Sequence, residues 1–197
     1  MNDIELNSLV GSRICHDLIS PLGAIGNGVE LMSMSGVSAA PEMTLISESV
    51  ESANARIRFF RVAFGAASPD SIIGTCELRS ILADLYRGNR LNVDWRLQKD
   101  VPRAEAKLSF LVLQCLESAM PWGGKILVTL SDQIWNVFGT AERLKIDTPL
   151  WDIVANPQAE AEINASSVQF ALIAPTAKLI RRQVTVNISN TSVSVSF

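Results

Sequence analysis

The sequence predicts an α+β protein, with a helical hairpin over residues 1–68 followed by an α/β sandwich over residues 71–197. Three observations predict it. Apolar residues near the N-terminus recur at alternating four- and three-residue steps, in two blocks separated by a break. Beyond Ser71 that spacing gives way to short runs in which apolar and polar residues alternate. Between those runs lie a few longer apolar stretches, with no internal repeat.

In the first block Ile4, Ser8, Gly11, Cys15, Leu18, Leu22, Ile25, Val29 and Met32 form a heptad seam. Ser8 and Gly11 weaken its start, and Gly23, Gly26 and Gly28 lower helix propensity. Ser35-Gly36-Val37-Ser38 breaks the pattern. Pro41 suits a first helical turn, and Glu42 is favourable near a helix N-terminus. Met43, Ile46, Val50, Ala53, Ile57, Phe60 and Phe64 then repeat the spacing until Gly65 and Ser68-Pro69 end the second helix. Two helices joined by a short turn form an antiparallel hairpin. Leu6, Leu9, Ile14, Ile19, Leu31, Leu45 and Phe59 lie off the seam. A second hairpin from another copy of the chain would cover them, which predicts a homodimer built on a four-helix bundle.

In the second part, Leu78 to Tyr86 reads as a helix and Leu91 to Leu97 as a strand closed by Pro102. Glu105 to Met120 is a strong helix, and Pro121-Trp122-Gly123-Gly124 a turn. Lys125 to Leu130 and Ile134 to Phe138 read as strands, and Thr148 to Val154 as a short helix. Val168 to Arg182 is a buried helix interrupted at Pro175. Val184 to Ile188 and Ser192 to Phe197 alternate as a hairpin around Asn190. Together they predict a sheet with helices on one face.

Composition narrows the function. Hydrophobic residues make up 48% of the 197 and charged residues 19%, which suits a packed core. A net charge of −3 without like-charge blocks argues against nucleic-acid or membrane-surface binding. The N-terminus lacks the basic start and apolar stretch of a signal peptide. Cys15, Cys76 and Cys115 are scattered among apolar residues and read as buried thiols of a reducing cytoplasm. With a single histidine and no paired cysteines, no metal site is expected.

That histidine is the candidate reactive group. His16 sits in Cys15-His16-Asp17-Leu18-Ile19-Ser20-Pro21-Leu22. If Cys15 is a heptad a position, His16 is a b position and faces solvent, where another protein can reach it. Asp17 can orient the imidazole and fix one tautomer, leaving the other nitrogen free to attack phosphorus. Arg13, Ile19, Ser20, Gly23 and Asn27 neighbour His16 on the helix surface and are the candidate partner contacts. Arg56, with Arg58 and Arg61, supplies a basic patch for an acidic partner. Pro21 should bend the helix beside His16, at a cost of about 3 kcal/mol.

The run His-Asp-Leu-x-x-Pro-Leu, placed in a helical hairpin, resembles the phosphoacceptor box of two-component histidine kinases. The order of elements after residue 71 resembles those kinases' ATP-binding domain, with Leu108 to Val128 similar to its first nucleotide-binding helix and following strand. Its three nucleotide motifs have no counterpart. Glu117 and Ser118 stand nearest the family's asparagine, Phe138-Gly139-Thr140-Ala141-Glu142 lacks the Asp-x-Gly-x-Gly box, and Asn164 to Ala171 contains no glycine. Without those glycines the backbone cannot close around phosphates.

A phosphoacceptor hairpin fused to such a degenerate domain resembles the ChpT family of histidine phosphotransferases. The resemblance implies a dimer in a bacterial phosphorelay. It implies that His16 takes a phosphoryl group from the receiver domain of a hybrid histidine kinase and passes it to response regulators. It also implies no cofactor bound by this chain, with Mg²⁺ held on the partner receiver. Two other readings are a histidine autokinase and a non-catalytic scaffold that binds a receiver domain. Nucleotide binding separates the first from the phosphotransferase, and replacement of His16 separates the second.

Overall fold

The structure, a computed structural model, describes residues 3–35, 40–68, 70–156 and 158–197. Helix α1 (Asp3–Ser35) and helix α2 (Ala40–Ala63) form the hairpin, and the break expected at Ser35–Ser38 falls largely outside the described residues. Gly28 of α1 lies against Ile46 of α2, while Asp17 shares a small cavity with Arg56 and Phe60, so the helices run antiparallel. A Cβ on Gly28 would stand 2.6 Å from Cγ1 of Ile46, so the close approach of the helices needs a glycine here. Helix α1 continues through Pro21, which is buried.

The heptad seam divides between two directions. On α1, Leu18, Ile25 and Met32 are half-buried, while Cys15, Leu22 and Val29 are exposed. On α2, Ala53 and Phe60 are buried and Ile46 half-buried, while Met43, Val50 and Ile57 are exposed. Alternate seam positions therefore pack within the hairpin, and the others form an exposed apolar stripe.

The remaining elements follow in order: β1 (Ile72–Ile73), α3 (Thr75–Leu85), β2 (Leu91–Trp95), β3 (Val101–Pro102), α4 (Arg103–Ala119), β4 (Gly124–Ser131), β5 (Ile134–Thr140), α5 (Thr148–Ala155), α6 (Val168–Leu179), β6 (Thr185–Ile188) and β7 (Ser192–Ser196). Five strands form a mixed sheet in the order β2-β4-β5-β7-β6, with only β2 and β4 parallel. The two-residue strands β1 and β3 pair separately, and nothing in the alternation pattern announces them. At the turn before β4, Gly123 has φ +103°, and a Cβ there would meet the Arg90 carbonyl oxygen at 2.5 Å.

Apolar residues alternate into the core from β4, β5 and β7, against helices on one side. Trp135 stacks on Phe197 and meets Trp95 edge-on at 5.6 Å. Its indole N–H donates to Glu105 at 2.8 Å, and Arg182 donates to the other Glu105 oxygen, so the indole N–H and both carboxylate oxygens are satisfied.

Three expectations need correction. Phe59, assigned to a surface that a second copy would cover, is buried against Phe110 of α4 in its own chain, and Ile14 packs against the same core. Helix α6 runs through Pro175 without interruption, because burial of Ile173, Thr176 and Ala177 offsets the lost hydrogen bond. Only Cys115 is a buried thiol; Cys15 and Cys76 are exposed, since apolar neighbours in sequence on a helix need not share its buried face.

Candidate functional site

His16 projects from the middle of α1 with its side chain 83% exposed. Beside it Asp17 is only 11% exposed, because the same helix turns that residue towards the junction with α2 and α4. Nδ1 of His16 lies 3.1 Å from Oδ1 of Asp17. A carboxylate can only accept, so the imidazole donates from Nδ1 and its lone pair resides on Nε2. Among the described residues Nε2 has no hydrogen-bond partner.

The other Asp17 oxygen, Oδ2, accepts from Nε of Arg13 at 2.9 Å. Arg13 is 17% exposed, and its Nη1 donates to the Ser166 carbonyl oxygen at 2.8 Å. Ser166 belongs to the turn before α6. The Asn164 side-chain oxygen accepts there from the backbone N–H and hydroxyl of Ser166, and Gln169 donates to the same Ser166 carbonyl. Sequence reasoning missed this turn, because Arg13 and Ser166 are 153 residues apart and no local pattern links them.

The expected partner contacts separate into two groups. Ile19, Ser20, Gly23 and Asn27 are exposed near His16, and a Cβ on Gly23 would meet nothing within 4 Å. That surface is open to an incoming protein. Arg13, expected on it, is instead drawn inwards by Asp17 and Ser166. Arg56 is likewise turned towards the junction, where it shares a small cavity with Asp17, Phe59, Leu85, Gln114 and Glu117. The basic patch on α2 is therefore dispersed: Arg58 pairs with Asp84 at 2.8 Å, and of the three only Arg61 is on the open surface.

Glu117 lies at the same junction. Burial pushes its carboxyl above the ordinary value, against the opposing pull of Arg56 and then Arg13. Tyr86 next to it is also raised, first by burial and then by the Glu117 charge. A cleft of about 640 Å³ opens between the end of α4, the start of α5 and the turn before α6, lined by Arg13, Ser118, Lys145, Asp147, Trp151 and Asn164 among others. Among the described residues no cluster of histidine, cysteine and carboxylate side chains could hold a metal ion, and no helix is long and apolar enough to cross a membrane.

Residues 75–192 match the histidine phosphotransferase C-terminal domain family. Protein phosphotransferase ChpT of Brucella abortus (strain 2308) is 31% identical over 175 residues, covering 86% of this chain and 83% of that protein. A solved bacterial phosphotransferase superposes over 100% of this chain and 97% of its own, with a TM-score of 0.81 and 28% identity.

Proposed function

The chain belongs to the ChpT-type histidine phosphotransferase family, and from that premise we propose that it shuttles a phosphoryl group between receiver-domain aspartates through His16. One observation carries this reading. His16 is the most exposed member of a hydrogen-bonded pair whose geometry leaves Nε2 as the available nucleophile.

In the forward step the Nε2 lone pair attacks the phosphorus of a receiver's aspartyl phosphate. The N–P bond forms, the P–O bond to aspartate breaks, and that aspartate departs as a carboxylate. The ring keeps its Nδ1 proton and becomes cationic, and the Asp17 carboxylate stabilises that charge. The reverse step returns the phosphoryl group to a second receiver's aspartate. No proton enters or leaves the balance, and Mg²⁺ held by the receiver would neutralise the transferring group.

Docking falls to Ile19, Ser20, Gly23 and Asn27, whose small or exposed side chains leave room beside His16. The exposed stripe of Cys15, Leu22, Val29, Met43, Val50 and Ile57 supports a homodimer through the hairpin. The part from residue 71 onwards is read as a degenerate nucleotide domain that binds no ATP. Its missing glycines support this.

Incubation with a phosphorylated receiver domain tests the proposal. Acid-labile label should appear on this protein and then move to a second receiver. Failure of label to appear under conditions where the receiver binds would favour a non-catalytic scaffold.

A further inference from the structure

We propose that Arg13 is a positioning residue, which couples the turn Asn164–Ser167 to the tautomeric state of His16. The inference rests on His16 being the phosphoacceptor and deepens that reading.

The physical chain has three links: the Ser166 carbonyl accepts from Arg13 at 2.8 Å, Arg13 donates to Asp17 Oδ2 at 2.9 Å, and Asp17 Oδ1 lies 3.1 Å from His16 Nδ1. Each link constrains the next. A lone Asp17 carboxylate could rotate about its side chain and present either oxygen to solvent. With Oδ2 held by Arg13, Oδ1 stays against the imidazole. With Oδ1 fixed there, the proton is retained on Nδ1 and the lone pair on Nε2.

A simple helix ion pair does not account for the arrangement. A cationic residue N-terminal to an acidic one at four-residue spacing is the weaker orientation on an isolated helix. This pair is nevertheless largely buried, while His16 beside it is open to solvent. The holding force comes from the other side. The Asn164 side chain holds the turn by accepting from the Ser166 N–H and hydroxyl, and Gln169, which is fully buried, donates to the Ser166 carbonyl and to Ser118 of α4. The α/β part of the chain thereby fixes a guanidinium that points at the phosphoacceptor's carboxylate. That part would contribute to transfer without touching phosphorus.

His16 is the only histidine, so histidine-labelled protein gives one unambiguous imidazole signal. The test compares the full chain with Arg13→Gln, Arg13→Lys and Asn164→Ala, by nitrogen NMR above the imidazole's titration range and by transfer from a phosphorylated receiver. The native chain should show the Nδ1–H tautomer. Arg13→Gln should move the population towards Nε2–H and slow kcat on the order of ten- to a hundredfold, with KM for the receiver little changed. Arg13→Lys should recover part of both effects, and Asn164→Ala should reproduce them more weakly. An unchanged tautomer and unchanged kcat in folded Arg13→Gln would overturn the proposal. So would a change in KM alone, which would make Arg13 a docking contact. If the native chain accepted no phosphate while Arg13→Gln still shifted the tautomer, the coupling would stand and the phosphotransfer reading would fail.

Discussion

Phe59 of the second helix stacks on Phe110 of α4, with ring centroids 4.7 Å apart and planes 28° from parallel. Both rings are almost wholly buried, and Phe60 beside them is buried too. This contact makes the base of the hairpin part of the same hydrophobic core as the sheet. Phe110→Ala should therefore destabilise by about 3–5 kcal/mol, through lost transfer energy and a cavity. Denaturant unfolding monitored by tryptophan fluorescence checks this. The loss should extend to the helical signal of the hairpin, and unfolding of the sheet alone would contradict a shared core.

The sequence made α1, α2, the strong helix α4 and the terminal strand pair legible, because each follows one period over its full length. The exposure of His16 and its contact with Asp17 were legible for a different reason: the two residues sit in a contiguous run. Phe59 was misjudged because its position relative to a seam says nothing of what a distant element brings to it. Arg13 and Arg56 were misjudged in the same way. A helix surface looks open until a partner such as the Ser166 turn or Glu117 arrives from far along the chain. Pro175 misled because propensity counts the lost hydrogen bond and not the packing that offsets it.

Glu117 should make stability depend on pH. Burial raises its folded value above the ordinary 4.5, so the folded chain holds a proton that the unfolded chain has released. The stability this contributes is fully present below about 4.5 and is lost as pH rises through the raised value. Glu117→Gln removes that dependence. The stability of the native chain relative to Glu117→Gln should fall with rising pH across this window. A relative stability that rose with pH would show the Arg56 and Arg13 charges outweighing burial.

Dimerisation should be visible in thiol reactivity. Cys15 lies on the apolar stripe, Cys76 is exposed elsewhere, and Cys115 is buried, with burial pushing its thiol up. In the homodimer Cys15 should label more slowly than Cys76, and Cys115 should not label in the native state. Ile57→Asp, which puts a charge on the stripe, should give a monomer by sedimentation and bring Cys15 to the rate of Cys76. A native chain that sediments as a monomer at micromolar concentration would contradict the stripe as an interface.

The cleft beside Ser118 and Trp151 should not bind Mg-ATP. Calorimetry on the full chain should show no heat of binding at micromolar nucleotide. A micromolar affinity would contradict the reading of this part of the chain as degenerate and revive an autokinase.

The central claim is that His16 itself carries the phosphoryl group. Its side chain is 83% exposed and contributes little to the core, so His16→Gln should unfold at nearly the native temperature. Glutamine keeps polarity and approximate size while removing the nucleophilic nitrogen. The direct measurement is acid-labile label gained from a phosphorylated receiver by the native chain and by His16→Gln, side by side. The account predicts label on the native protein and none on the variant, with receiver binding retained by both. Equal labelling of His16→Gln would contradict it.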